Sequence, residues 1–281
     1  MSRTGDIATN RNGMPALTAG YRRFVTRRAV WLCALAAALC VATVVNVMTG
    51  PAGLSLAQVV DGLRHPETLD PGTYVILWEV RLPFALMAIV VGACLGLAGA
   101  EMQTVLNNPL ASPQTLGVMY AATLGASLAI VFNLAAPLGL PETYVVPVFA
   151  FAGAIASAAV ILLLSRVYGA TVDTVILFGI ALVFALQALI QLIQFVADSD
   201  SLQQIVFWTM GSLTRATWEK VAIVAAVFAL CLPASIRQVW AMTALRGGED
   251  YARSYGVAVD RLRLTVLLRV SAMTAVAVAF T

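Results

Sequence analysis

The stretch RLPFALMAIVVGACLGLAGAEMQTVLNNPLASPQTLGV at residues 81–118 joins two long apolar segments through a turn of asparagines and prolines. The first segment, 80–106, exceeds the roughly 20 residues that a helix needs to cross a bilayer. The second, 114–133, is similarly apolar, and residues 107–113 between them carry no charge. An uncharged turn is poorly suited to an aqueous loop. We therefore expect a tight, buried re-entry turn between two membrane helices.

The residues of this turn fit a helix end followed by a helix start. Asn107 and Asn108 can satisfy the unpaired carbonyl groups of the first helix, and Pro109 cannot continue it. Ser112 before Pro113 is typical of a helix N-terminus, with serine as the cap and proline in the first turn. The sequence therefore predicts one helix ending before the asparagines and another beginning after the serine.

Composition places most of the chain in a membrane. Of its 281 residues, 60% are hydrophobic and 11% are charged, against about 25% charged in typical soluble domains. We expect an all-α, polytopic membrane bundle, with a single transmembrane domain at 29–281 after a polar, arginine-rich segment at 1–28. Two short amphipathic helices are expected on its outer surface, at 55–63 and 201–213. Long apolar runs predict seven spans, at 29–49, 80–106, 114–133, 143–165, 172–197, 218–236 and 262–281.

The placement of arginine predicts the orientation. Segment 1–28 carries six arginines against one aspartate, and loop 237–261 carries four arginines. Loops 50–79 and 198–217 hold more acidic than basic residues. Because positive residues favour the cytoplasmic side, we expect an inner-membrane protein with a cytoplasmic N-terminus. The turn at 107–113 and loop 237–261 then lie inside the cell.

Several other functions find little support in the sequence. Nothing has the basic density of a nucleic-acid site, and no G-x-x-x-x-G-K-[ST] loop is present, so this chain is expected to bind no nucleotide or other cofactor. The four cysteines lie in apolar runs, and His65 has no cysteine or histidine nearby, so we expect no metal site. The main alternative is an ion-coupled secondary transporter. Such a protein needs acidic and basic residues in the middle of its spans, and these are scarce here.

Two features of the run 80–106 invite a structural role. Gly92, Gly96 and Ala100 recur every four residues, which predicts close approach of a neighbouring helix. Glu101 is costly to bury without a partner and is a functional candidate for that reason. The alternative is that Glu101 extends to the membrane surface.

The motifs of this stretch closely resemble those of FecCD/BtuC-type permeases, the membrane subunits of ABC importers for iron–siderophores, haem and vitamin B12. Two further stretches are similar to the same family: FWTMGSLTRATWEK at 207–220 and GGEDYARSYGVAVDRLR at 247–263. Phe84 and Tyr255 depart from its pattern, where arginine and leucine are usual. The matching elements of the first stretch are Arg81-Leu82-Pro83, Val91-Gly92, Gly99, Met102-Gln103, Asn108-Pro109-Leu110-Ala111, Pro113 and Leu116-Gly117.

The resemblance implies an architecture and a set of partners. Two permease subunits, identical or related, would enclose a channel in the lipid membrane. Two ATPase subunits would supply energy from ATP and Mg²⁺, and an extracytoplasmic binding protein would deliver the ligand. An iron–siderophore complex is the expected cargo, with haem or vitamin B12 as alternatives. Family permeases have about ten spans, so a chain ending within its seventh is expected to be truncated at the C-terminus.

The resemblance also implies roles for particular residues. Arg81 would contact the binding protein. The connection between the fourth and fifth spans would contribute to a cytoplasmic gate. Loop 237–261 would dock in the ATPase, through a short helix whose first-turn acids suit the helix dipole. The gate candidates are Gly169, Ala170 and Thr171, and the docking residues are Gly248, Glu249, Asp250, Ala252, Ser254 and Gly256.

Overall fold

The computed structural model describes residues 13–50, 53–168 and 171–281, and their regular structure is helical. Short 3-10 turns at 66–68, 113–116 and 213–215 and a π-helical turn at 75–81 separate some of the helices. The α-helices are α1 (Gly13–Met48), α2 (Leu56–Arg64), α3 (Pro71–Tyr74), α4 (Leu82–Val105), α5 (Val118–Val131), α6 (Ala135–Leu138), α7 (Glu142–Tyr168), α8 (Val172–Val196), α9 (Ser199–Met210), α10 (Trp218–Leu245), α11 (Glu249–Ser254) and α12 (Val259–Ala279).

Six helical stretches of the described residues are long and apolar enough to cross a membrane. The helix in the run 114–133 is shorter than predicted, because α5 has 14 residues and extends about 21 Å at 1.5 Å per residue, against a hydrocarbon core of about 30 Å. The first residues of that run form a 3-10 turn instead. The six long stretches are Arg22–Met48, Pro71–Val105, Glu142–Leu164, Val172–Val196, Trp218–Leu245 and Val259–Ala279.

The chain divides into two compact units, residues 1–77 and 78–281. In the first, α2 begins with a capping box in which the Ser55 hydroxyl accepts the N–H of Gln58 and the Gln58 side chain accepts the N–H of Ser55. Its inner face buries Val59 and Gly62. The opposite face is exposed, as expected for an amphipathic surface helix.

The second unit is organised around α12. In the most apolar 18-residue stretch of α12, 72% of the residues are buried, whereas the corresponding share is 17% in α8 and in α10. This helix packs against α4, α7 and α10. A helix surrounded in this way needs apolar side chains on nearly all faces, and those of α12 are mostly small or branched, such as Val266, Val270 and Ala275.

The closest helix packing in this unit involves α5 and α7. A Cβ atom at Gly125 would lie 2.2 Å from the carbonyl oxygen of Phe149, and one at Gly153 would lie 2.2 Å from that of Ala121. Only glycine allows this approach. The expected contact through Gly92, Gly96 and Ala100 is not found in the described structure, because Cβ atoms at the two glycines would meet nothing within 4 Å.

The turn after α4 is held by its backbone. Asn107 is left-handed, with φ 44°. Its N–H donates to the carbonyl of Thr104 at 3.2 Å, and the N–H of Asn108 donates to that of Gln103 at 3.0 Å. These bonds form a Schellman motif. Asn107 and Asn108 therefore pair carbonyls at the end of α4 as expected, and they do so through backbone N–H groups. The Asn108 side chain accepts the N–H of Leu110 at 2.9 Å.

The same turn is only partly buried. Pro109 is exposed and Leu110 is 85% exposed, whereas Ala111, Pro113 and Gly117 are buried. The side chain of Ser112 makes no capping bond, and a 3-10 turn follows it instead of an α-helix. The predicted buried re-entry turn is therefore corrected to one with an exposed tip and a buried second half.

The close packing at Gly153 leads to a testable prediction. Gly153→Ala should lower the unfolding free energy in detergent by about 1–3 kcal/mol, because the added methyl overpacks the contact with α5. Gly96→Ala is the matched control, since its methyl enters open space and alanine favours the helix. Thermal unfolding of both variants measures the difference. Equal stabilities would show that α5 and α7 do not pack this closely.

Candidate functional site

The segment between α10 and α12 contains the short helix α11. Gly248, with φ 114°, precedes it, and Gly256, with φ 79°, follows it. Such φ values are unfavourable for residues with a Cβ, so glycine determines where this helix begins and ends. Glu249 and Asp250 lie in its first turn, where the helix dipole favours acids.

Two ion-pair contacts attach α11 to the start of α12. Glu249 pairs with Arg263, whose side chain is only 1% exposed. Arg253 pairs with Asp260 at 3.2 Å, and its distance to Glu249 is 3.9 Å. A buried guanidinium needs a charged or polar partner, and Glu249 supplies one. The predicted docking acid Glu249 is therefore engaged within the chain, while Asp250 is exposed.

The two faces of α11 have different surroundings. Ala252 is fully buried and belongs to the hydrophobic core, so the expectation that it contacts a partner is corrected. The outer face carries Tyr251 and Tyr255, which are 52% and 57% exposed. Their ring centroids are 4.7 Å apart. Ser254 is also exposed, and its hydroxyl donates to the carbonyl of Tyr251 at 2.7 Å.

The tyrosine pair was missed from sequence as a candidate contact. The available signal was their spacing, because residues four apart on a helix lie side by side. A hydrogen bond between the two side chains raises the pKa of Tyr251, so its hydroxyl is neutral at physiological pH. The face is amphipathic, with exposed rings and polar hydroxyl groups.

A second charged cluster lies inside the bundle. Arg269 of α12 donates to both carboxylate oxygens of Glu101 on α4, at 2.9 and 2.8 Å. It also donates to the side-chain oxygen of Gln238 on α10 at 3.0 Å. Glu101 and Arg269 are 3% and 7% exposed. Of the two expected roles for Glu101, the structure shows the buried, paired one and not extension to the surface.

Arg269 was also missed from sequence. The signal was an arginine in the middle of the apolar run 262–281, a position that is costly without a partner. Its partner Glu101 lies 168 residues away in the chain, and sequence spacing could not connect the two.

The remaining predicted site residues have other surroundings. Arg81 is 8% exposed, so in this conformation its guanidinium is not presented on the surface for another protein. The Thr171 hydroxyl caps α8 by accepting the N–H of Thr174 at 3.2 Å. Gly169 and Ala170 lie outside the described residues.

Residues 38–281 match the model of the FecCD transport family. A Methanocaldococcus jannaschii protein named as an ABC transporter permease is 36% identical over 92% of this chain and 76% of its own length. The molybdate import permease MolB of Haemophilus influenzae is 31% identical over 86% of this chain and 71% of its own. The ferric enterobactin transport permease FepG of Escherichia coli is 31% identical over 91% of this chain and 76% of its own.

A solved structure, described as a metal-chelate type ABC transporter in an inward-facing conformation, is also similar. It is 29% identical, with a TM-score of 0.77 over 90% of this chain and 76% of that chain. The expected all-α membrane bundle is confirmed. The ABC transporter context implies ATPase and binding-protein partners. This chain belongs to the FecCD transport family, as a multi-pass, non-catalytic permease of an ABC importer of that type.

Proposed function

We propose that this permease moves an iron–siderophore complex into the cytoplasm, using ATP and Mg²⁺ bound by partner ATPases. A second permease subunit would complete the channel, and an extracytoplasmic binding protein would deliver the complex. The cargo is supported by the likeness to FepG and to a metal-chelate transporter. Likeness to a molybdate permease shows that relatives of this chain differ in cargo, and haem or vitamin B12 are the alternatives.

The observation that carries the ATPase docking is the exposed face of α11. Tyr251 and Tyr255 project from a short helix whose opposite face is buried in the core. Tyrosine is enriched among the residues that dominate protein interfaces, since its ring buries a large area and its hydroxyl can be paired. Asp250 and Ser254 are exposed on the same helix and would form the polar rim.

The order of the helices supports a cytoplasmic location for this face. Consecutive spans joined by short connections run in opposite directions. With the short helix α5 counted as a crossing, the turn after α4, the connection of α7 to α8 and the segment of α11 share one side of the membrane. Loop 237–261 and segment 1–28 carry most of the arginines, which favours the cytoplasm for that side and for the N-terminus. The gate proposed for Gly169, Ala170 and Thr171 would open on it.

Uptake by the reconstituted transporter tests the proposed cargo. Proteoliposomes containing the permease and its ATPase, supplied with the binding protein, should accumulate radiolabelled iron given as a ferric catecholate siderophore. Accumulation should require ATP on the side of the membrane where the ATPase is bound. Neither haem nor cyanocobalamin should accumulate under the same conditions. Uptake of one of those two compounds instead would contradict the iron–siderophore assignment. Iron uptake driven by an ion gradient without ATP would indicate a secondary transporter.

Alanine variants of the tyrosine pair test the docking surface. Tyr251→Ala and Tyr255→Ala should each weaken ATPase binding to the permease in nanodiscs by about 2 kcal/mol, since each removes a ring from the interface. Tyr144→Ala is the matched control, because Tyr144 is 57% exposed and lies at the start of α7, on the other side of the membrane. Wild-type affinity in both α11 variants would exclude this face as the docking surface.

A further inference from the structure

The attachment of α11 to α12 uses two points. Glu249, at the start of the short helix, pairs with Arg263, and Arg253, one turn later, pairs with Asp260. With a single ion pair, α11 would be held to α12 at one point only, besides the packing of its buried Ala252. Two contacts a turn apart resist both displacement and rotation of α11 relative to the first turns of α12.

The same helix α12 holds the buried cluster of the bundle. Arg263 and Arg269 are six residues apart, or about 9 Å along a helix axis. Arg263 faces Glu249, and Arg269 is bonded to Glu101 on α4 and to Gln238 on α10. Both arginines are nearly fully buried, so each is fixed by its surroundings.

We propose that Arg263 and Arg269 are positioning residues that make the docking helix and the bundle core move together. When an ATPase displaces α11, the ion pair of Glu249 and Arg263 would transmit the movement to α12. This helix would move as a rigid body, and Arg269 would pass the movement on to α4 and α10. This inference rests on the proposed docking of α11. It adds the path by which the docked helix is linked to the spans.

The different exposure of Glu249 and Arg263 suits this role. Glu249 is 41% exposed and Arg263 is 1% exposed, so the acid moves with the surface helix while the base belongs to the interior. Removing either charge breaks this ion pair between α11 and α12. The effect should appear first as a loose α11, because the apolar packing of α12 is untouched by a change at Glu249.

Mobility of α11 in the permease alone tests the first link without any partner. A nitroxide on Ser254→Cys, in a variant lacking the native cysteines, reports motion of the helix in nanodiscs. Glu249→Gln and Arg263→Gln should increase label mobility, and the exchange Glu249→Arg with Arg263→Glu should restore it. Asp250→Asn and Arg261→Gln are matched controls at exposed neighbours. Unchanged mobility in Glu249→Gln would overturn the link, even if Arg263→Gln fails to fold.

Coupling in the complete transporter tests the consequence. With ATPase and binding protein present, Glu249→Gln should bind the ATPase and hydrolyse ATP, but transport about 5- to 150-fold less radiolabelled ferric siderophore per ATP hydrolysed, the usual range of coupling between sites. The charge exchange should recover transport. Wild-type transport per ATP in Glu249→Gln would overturn the link. Failure of the wild-type permease to bind ATPase would instead overturn the proposed docking.

Discussion

The ion pair between Glu101 and Arg269 is the interaction on which the arrangement of the central spans depends. Charged groups within a bilayer are costly unless they are paired or reach water. Here the pair is bidentate and almost fully buried, and Gln238 accepts a further bond from the same guanidinium. One arginine thereby connects α12 with α4 and α10. Apolar side chains alone would allow these helices to slide or rotate, whereas paired charges determine which faces meet.

The buried position of α12 in the core makes it suited to connect the membrane bundle with the surface helix α11. It is the most buried of the candidate spans, and it begins directly after the segment that carries α11. Its first turns hold the surface helix through Asp260 and Arg263, and its middle holds the bundle through Arg269. A permease whose ATPase is a separate subunit needs a rigid element of this kind to receive motion from that subunit.

Sequence patterns were sufficient for the long helices but not for their contacts. Apolar runs identified the six long spans, and the expected short helix with acids in its first turn is found as α11. The helix in the run 114–133 is shorter than predicted, because Pro113 and Gly117 place a 3-10 turn before it, and hydrophobicity alone does not show this. The glycines of α4 face open space, while Gly125 and Gly153 make the close contact. Burial of Ala252, exposure of Tyr251 and the partner of Glu101 are tertiary properties that spacing along a single chain does not contain.

A double-mutant cycle on the central pair tests this account most directly. Glu101→Gln and Arg269→Met would each leave one charge buried without its partner, at a cost of about 3–5 kcal/mol in unfolding free energy. The double variant removes both charges and should lose much less than the sum of the two. Unfolding of the four proteins in detergent measures this coupling. Losses that add within about 0.5 kcal/mol would contradict a central role for the pair.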